Sequence, residues 1–272
     1  MNRVRRSALL LAAIAAMAAA SCAGGAPLMH PAHVLSQGHT RFAAGAAANF
    51  TAGEASDAIN KADAERVTAV VDKPSPTYTA GALAVAAFAP GVAPFVAGRV
   101  GLGYDAEGGL SYTGHAMRID ARYALQGDST ALSVGVGGSA LLARRGTITN
   151  AQLGGLNLEG VSGWGADVPV VFGWHSSGDI LWWWAGARGG YEKLRGTVTL
   201  FVPTLPDPLD GNVDAHRLMV AGLTGFAVGF RHFHAAVEVQ GAYQDAQGAL
   251  WGTDVEVKGF TFSPSAALLG SF

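Results

Sequence analysis

The segment Gly259-Phe260-Thr261-Phe262-Ser263-Pro264-Ser265-Ala266-Ala267-Leu268-Leu269-Gly270-Ser271-Phe272 alternates between two kinds of side chain. Phe260, Phe262, Ala266, Leu268, Gly270 and Phe272 share one face, with Pro264 among them. Gly259, Thr261, Ser263, Ser265, Ala267 and Ser271 share the other, where Leu269 is the exception. A period of two is the mark of a strand. An apolar face backed by a face of small and polar residues fits the wall of a closed barrel, with hydrocarbon outside and a lumen inside. Pro264 has no N–H to give a ladder, so it predicts a bulge or a bend in this strand.

The same alternation recurs upstream. Arg41–Phe50 places Phe42, Ala44, Ala46, Ala48 and Phe50 on one face. Val96, Gly98, Val100, Leu102 and Tyr104 face outward, against Ala97, Arg99, Gly101 and Gly103. Met117, Ile119, Ala121, Tyr123 and Leu125 oppose Arg118, Asp120 and Arg122, the cleanest pattern of apolar-out and charged-in. Further strands are expected at Leu110–Tyr112, Leu132–Leu142, Val168–Trp174, Ile180–Tyr191, Leu218–Phe230, Phe233–Tyr243 and from Thr253 on. Glycine supplies 38 of 272 residues, about twice its usual ~7% share, and many of these fall inside strands. Glycine weakens a soluble strand but relieves crowding in a narrow barrel.

This makes ten strands in an all-β, antiparallel up-and-down transmembrane barrel. Counted back from Phe272, the short turns Asp105–Gly108, Gly127-Asp128, Ser176–Asp179 and Arg231-His232 fall on one side. The connections Thr51–Pro94, Arg144–Gly163, Glu192–His216 and Gln244–Gly252 fall on the other, with Tyr112–Ala116 as the one short outer link. Short inner turns, long outer loops and an even strand count are the pattern of bacterial single-chain barrels. Asp57–Val71 carries charges at helical intervals. Ala80–Ala89 is small and apolar on both faces and fits a strand, a helix in the barrel mouth or a loop. As a strand, with one more from the segment before it or from the strand extension around Val198–Val202, it would give twelve. Phe172, Trp174, Trp182, Trp183, Trp184, Phe230 and Phe233 flank the short turns, where an aromatic girdle belongs. Three consecutive Trp cannot all face lipid, so at least one should point inward.

A chain ending on an aromatic residue, after such a strand, resembles the outer-membrane barrel signature recognised by the insertion machinery, which makes Phe272 the expected contact. At the other end, Arg3, Arg5 and Arg6 precede the apolar run Ala8–Ala20, the pattern of an export signal. The run is short for a membrane-spanning helix. Ala19-Ala20-Ser21-Cys22 resembles a lipoprotein cleavage site, with Ala19 where Leu is usual. Cys22 is the only cysteine, so no internal disulfide forms, and lipidation would cap a thiol awkward in an oxidising envelope. Ordinary cleavage near Ser21 is the alternative. The expected layout is signal peptide 1–21, flexible tether 22–39 and barrel 40–272. Arg99–Asp105, Glu107–Leu110, Arg118–Tyr123 and the run from His30-Pro31-Ala32 to Gly38 resemble uncharacterised outer-membrane barrel (lipo)proteins of myxobacteria and related Gram-negative bacteria. The resemblance implies fold and location, and no activity.

The net charge of −2, with 14% charged residues, offers no basic patch for nucleic acid. No G-x-S-x-G elbow appears. His115 is the one histidine placed near the outer rim, while His175 and His232 fall near the inner rim. Gly135, Gly137 and Gly138 sit in a strand with no helix to make a dinucleotide fingerprint. His30, His33 and His39 lack an intervening carboxylate and read as part of the tether. No catalytic set, metal or cofactor is therefore expected. Arg99, Glu107, Arg118, Asp120, Arg122, Arg188 and Glu238 map to the lumen, where unpaired charge is costly. They are expected to form a network, either purely structural or lining a thin polar path. The expected function is passive passage of small solutes or hydrophobic molecules by a monomer set in outer-membrane lipid and lipopolysaccharide. The alternatives are a structural or docking barrel with a plugged lumen, or a lipid-modifying enzyme.

Overall fold

The computed structural model describes residues 27–65, 74–114, 116–141, 153, 155–202 and 207–272. The proposed signal sequence, Cys22 and His115 lie outside the described residues. Ten strands form one antiparallel sheet: β1 (Thr40–Ala52), β2 (Gly91–Gly103), β3 (Ala106–Tyr112), β4 (Ala116–Gln126), β5 (Thr130–Leu141), β6 (Leu156–His175), β7 (Leu181–Leu200), β8 (Leu209–Phe230), β9 (Phe233–Leu250) and β10 (Thr253–Ser271). Each pairs with its sequence neighbours, and β1 also pairs with β10, which closes the ring.

The seam keeps its register past Pro264. Arg41 lies opposite Ser271 and Ala47 opposite Ser265, and pairing resumes in the same register at Phe50 and Phe262. The predicted bulge is absent. The missing N–H costs rungs of the ladder without sliding the strands. Beside this gap Asn49 stitches the wall to the interior: its Oδ1 accepts from Ser263 Oγ at 2.7 Å.

Thr51–Pro94 is not one long loop. It holds helix α1 (Glu54–Glu65) and helix α2 (Pro76–Phe88). The Ala80–Ala89 ambiguity is resolved in favour of a helix. Ser75 caps α2 by accepting from the Tyr78 N–H, and Pro76 opens it with a preset φ. The helix is apolar all round, so it has to be buried. It enters the outer mouth of the barrel, where Leu83, Val85 and Phe88 pack against Leu194, Val198, Val213 and Leu250 of the wall. Only one stripe of α1, Ala55, Ile59 and Ala62, is buried. Gly81 brings the helices together: a Cβ there would lie 2.3 Å from the Ala62 Cβ.

Strands β6 to β9 run further outward than their alternation predicted, so three expected loops shrink. In the connection Glu192–His216, where a strand extension is expected only around Val198–Val202, Glu192–Leu200 and Leu209–His216 are strand, Gln244–Leu250 is strand, and Leu156–Gly163 belongs to β6. Above Trp164, Tyr191, Leu218, Tyr243 and Phe260 the phase persists but its polarity inverts. Lys193, Arg195, Asp214, Asp245 and Lys258 now take the outward positions, while Leu194, Val198, Val213, Ala246 and Val257 face inward onto the helices.

Candidate functional site: a lumen closed from both ends

The outward face of the lower wall is a belt of exposed apolar side chains, among them Phe42, Val96, Ile119, Val136, Val170, Val220, Phe262 and Leu268. Aromatic rings edge it above at Phe50, Tyr112, Trp164, Tyr191, Tyr243 and Phe260, and below at Tyr123, Trp174, Trp183, Phe230, Phe233 and Phe272. Such a belt between two girdles fits a bilayer. Of the three consecutive tryptophans, Trp183 faces out, Trp184 is wholly buried in the lumen and Trp182 lies in the inner mouth against His33 and Arg41.

Inside the barrel the predicted lumen residues converge. Arg99 bonds Glu107 and Asp120, and Arg118 bonds Asp120. Arg122 donates to Glu107 at 3.0 Å. Asp167 takes two bonds of 2.8 Å from Arg118 and one of 3.0 Å from Arg188. All six wall residues predicted for this network, other than Glu238, are buried here with paired charges. The guanidinium groups need room: a Cβ at Gly137 would meet the Arg118 Nη2 at 2.4 Å. Sequence reasoning missed Asp167, and also Glu192 and Arg217, which pair further out. Asp167 was readable, because Asp167, Pro169, Val171 and Gly173 alternate with Val168, Val170, Phe172 and Trp174. Glu192 opens the expected connection Glu192–His216, and Arg217 falls between that connection and the expected strand Leu218–Phe230. Arg217 also donates to the Ala87 carbonyl, and Asn49 Nδ2 to those of Phe88 and Ala89. These bonds satisfy the last carbonyls of α2 and place a cation at its negative end.

Glu238 has a different role from the one its charge suggested. It accepts the backbone N–H groups of Leu28 at 2.8 Å and Met29 at 2.9 Å, and the Trp184 indole N–H at 2.9 Å. The segment expected to be a flexible tether is thus seated inside the barrel, with residues 27–34 buried. Arg122 donates to His30 Nδ1 at 2.7 Å, the Pro31 carbonyl at 2.6 Å and the His33 carbonyl at 3.1 Å. The Leu35 N–H reaches Glu107 at 2.9 Å, and the Val34 N–H reaches Gln126 at 3.1 Å. Gly101 and Gly173 let the segment lie against the wall: a Cβ would fall 2.0 Å from the Ser36 oxygen at Gly101 and 2.9 Å from the Ala32 Cβ at Gly173. The segment leaves through the inner mouth, where Gly38 N–H bonds the Gly101 carbonyl and Thr40 exchanges both backbone bonds with Phe272.

Helix α2 therefore fills the outer half of the lumen and residues 27–35 the inner half, with the charge network between them. A cavity of about 50 Å³ reaches from Thr113 and Ala116 at the β3–β4 turn down to Arg118, Asp167 and Arg188. That is room for a few waters among polar groups able to hold them. No group of three or more metal-ligating side chains occurs among the described residues.

No protein-family model matches the chain, and no curated protein does. Among solved structures, the chain is similar to Neisserial surface protein A, with 10% identity over 87% of this chain and 100% of the other, at a TM-score of 0.35. The N-terminal β-barrel domain of Pseudomonas aeruginosa OprF gives 8% identity over 88% and 100%, at 0.32. A major outer membrane protein from Thermus thermophilus gives 10% over 86% and 99%, at 0.33. These likenesses are too distant to carry residue roles, and the barrel stands on its own strand pairing.

Proposed function

We propose that this chain is a monomeric outer-membrane barrel with a narrow polar path for small solutes, closed at rest by its own N-terminal segment. The observation that carries this is the seating of residues 27–35 on Glu238, Glu107 and Arg122. Beyond this plug the path leads through the charged middle to the small cavity under the low rim at Thr113 and Ala116. The plug is held by hydrogen bonds that water can replace and by the packing of Leu28, Met29 and Ala32 against Phe95, Val171, Trp184 and Leu223, a smaller apolar contact than that of α2, so it is the closure that can leave. The wall does no bond chemistry. Its arginines, Arg99, Arg118, Arg122 and Arg188, bias passage toward small anions. Lipid and lipopolysaccharide surround the belt, the insertion machinery engages the strand ending at Phe272, and Cys22 is a lipidation site after removal of residues 1–21. Kinship with uncharacterised myxobacterial barrels is part of the same reading.

The apolar packing of α2 favours a second reading, a purely structural barrel plugged for good. Planar-bilayer recording separates the two. The full chain at neutral pH is expected to be silent, and a variant lacking residues 27–35 to give small, steady conductance steps. A folded but silent deletion variant would establish the structural reading instead.

A further inference from the structure

The plug carries two histidines, and their surroundings differ from those of its other residues. His33 is buried at the inner mouth, yet neither of its ring nitrogens has a hydrogen-bond partner. Buried polar atoms are normally paired, so an unpaired imidazole at a removable joint calls for an explanation. Its neighbours are aromatic and cationic. The His175 ring at the end of β6 lies edge-on with centroids 4.6 Å apart, and the Trp182 ring on β7 lies 5.5 Å away. Arg41 on β1 sits over the same Trp182 ring at 5.5 Å. The plug's other histidine, His30, accepts from Arg122 on β4.

We propose that the His33–His175 contact is an acid-operated latch: protonation of the His33 imidazole drives the plug from the inner mouth and opens the path. This rests on the plug being the gate. The charged and titratable groups facing His33 are His175 on β6, Asp179 in the β6–β7 turn, Arg41 on β1 and Arg122 on β4. Only Asp179 favours a proton on His33, and its carboxylate is already engaged by His175 Nδ1 at 2.8 Å. His234 on β9 packs edge-on against Trp182 and bonds the Asp179 carbonyl at 2.7 Å.

Burial, seconded by His175, Arg41 and Arg122, lowers the His33 pKa from 6.5 to about 4. Burial and the Arg122 guanidinium lower that of His30 as well. A histidine whose pKa falls on docking favours the docked state while it is neutral. Docking is therefore fully favoured above pH 6.5 and weakens as the pH falls toward 4. For His33 alone, going from pH 8 to pH 5 shifts the equilibrium toward release roughly 30-fold.

The test is hydrogen exchange of the full chain in lipid vesicles at pH 8 and pH 5, corrected for intrinsic exchange and followed over Leu28–Leu35, with bilayer recording in parallel. Protection is expected to fall roughly 30-fold at pH 5 and conductance to appear. Because His30 on the plug and Glu107 and Glu238 facing it also respond to acid, His33→Phe isolates the latch: it keeps the aromatic packing and should retain clearly more protection at pH 5 than the unaltered chain. His175→Gln serves if His33→Phe fails to fold, and should blunt the pH effect. Equal protection at both pH values, or a fall that His33→Phe leaves intact, would overturn the latch. Loss of protection without conductance would uphold the latch and sink the gate, whereas conductance of the deletion variant with pH-independent protection would do the reverse.

Discussion

Asp167 shows how tightly charge is balanced in this lumen. One carboxylate bridges two buried guanidinium groups, Arg118 with both oxygens and Arg188 with one, and Asp120 shares Arg118. Removing one member of a buried set leaves the others uncompensated. Asp167→Asn preserves shape and removes the charge, so it should cost about 3–5 kcal/mol, read as a lowered urea midpoint for unfolding from vesicles. Glu238→Leu belongs to a different class. It strips the acceptor from Leu28, Met29 and Trp184 and should free the plug with the wall intact, raising exchange over residues 28–35 at pH 8. Alternation alone was enough to place Arg118, Asp120, Arg122 and Glu238 inside. The partner of Glu238 was not legible, because the N–H groups it accepts lie 210 and 209 positions away and backbone donors leave no mark in a sequence.

At the scale of elements, the reading worked where the wall has lipid outside and polar groups inside. The outer boundaries of β7, β8 and β9 were misplaced for one reason. Past Tyr191, Leu218 and Tyr243 the outward residues become charged, which looks like the end of a strand. In fact the strands continue into water and the inner face turns apolar to receive α2. A change of solvent was read as a change of structure. Ala80–Ala89 stays open between strand, helix and loop in the sequence for the opposite reason: surrounded by apolar groups on every side, helix α2 has no amphipathic period to find. Its energetic role is testable. Leu83 is fully buried in the outer cluster, and Leu83→Ala should cost about 2–5 kcal/mol. The expected result is a lower thermal midpoint with no conductance gained at neutral pH, since the inner plug stays seated.

The whole molecule is a ring whose first and last strands meet. Heat-modifiable migration on gels and retention in the membrane fraction after an alkaline wash are expected for the full chain. Fully soluble periplasmic material would contradict the bilayer placement of the belt. Removing Phe272 deletes the residue that exchanges backbone bonds with Thr40 and stacks on His232. It should lower the yield of heat-modifiable protein more than the stability of what does assemble.

Thr40 is the hinge between the plug and that seam, and this orders events in time. The plug is made before any strand of the wall, yet every group that holds it comes later in the chain, and Glu238 comes almost last. The residues made first are therefore sheltered last. A chain halted before β9 has nowhere to lodge them and presents a bare, histidine-bearing peptide to the periplasm. Seating the plug thus doubles as a sign of completion, and at neutral pH an envelope protease that trims loose ends would find them on unfinished copies.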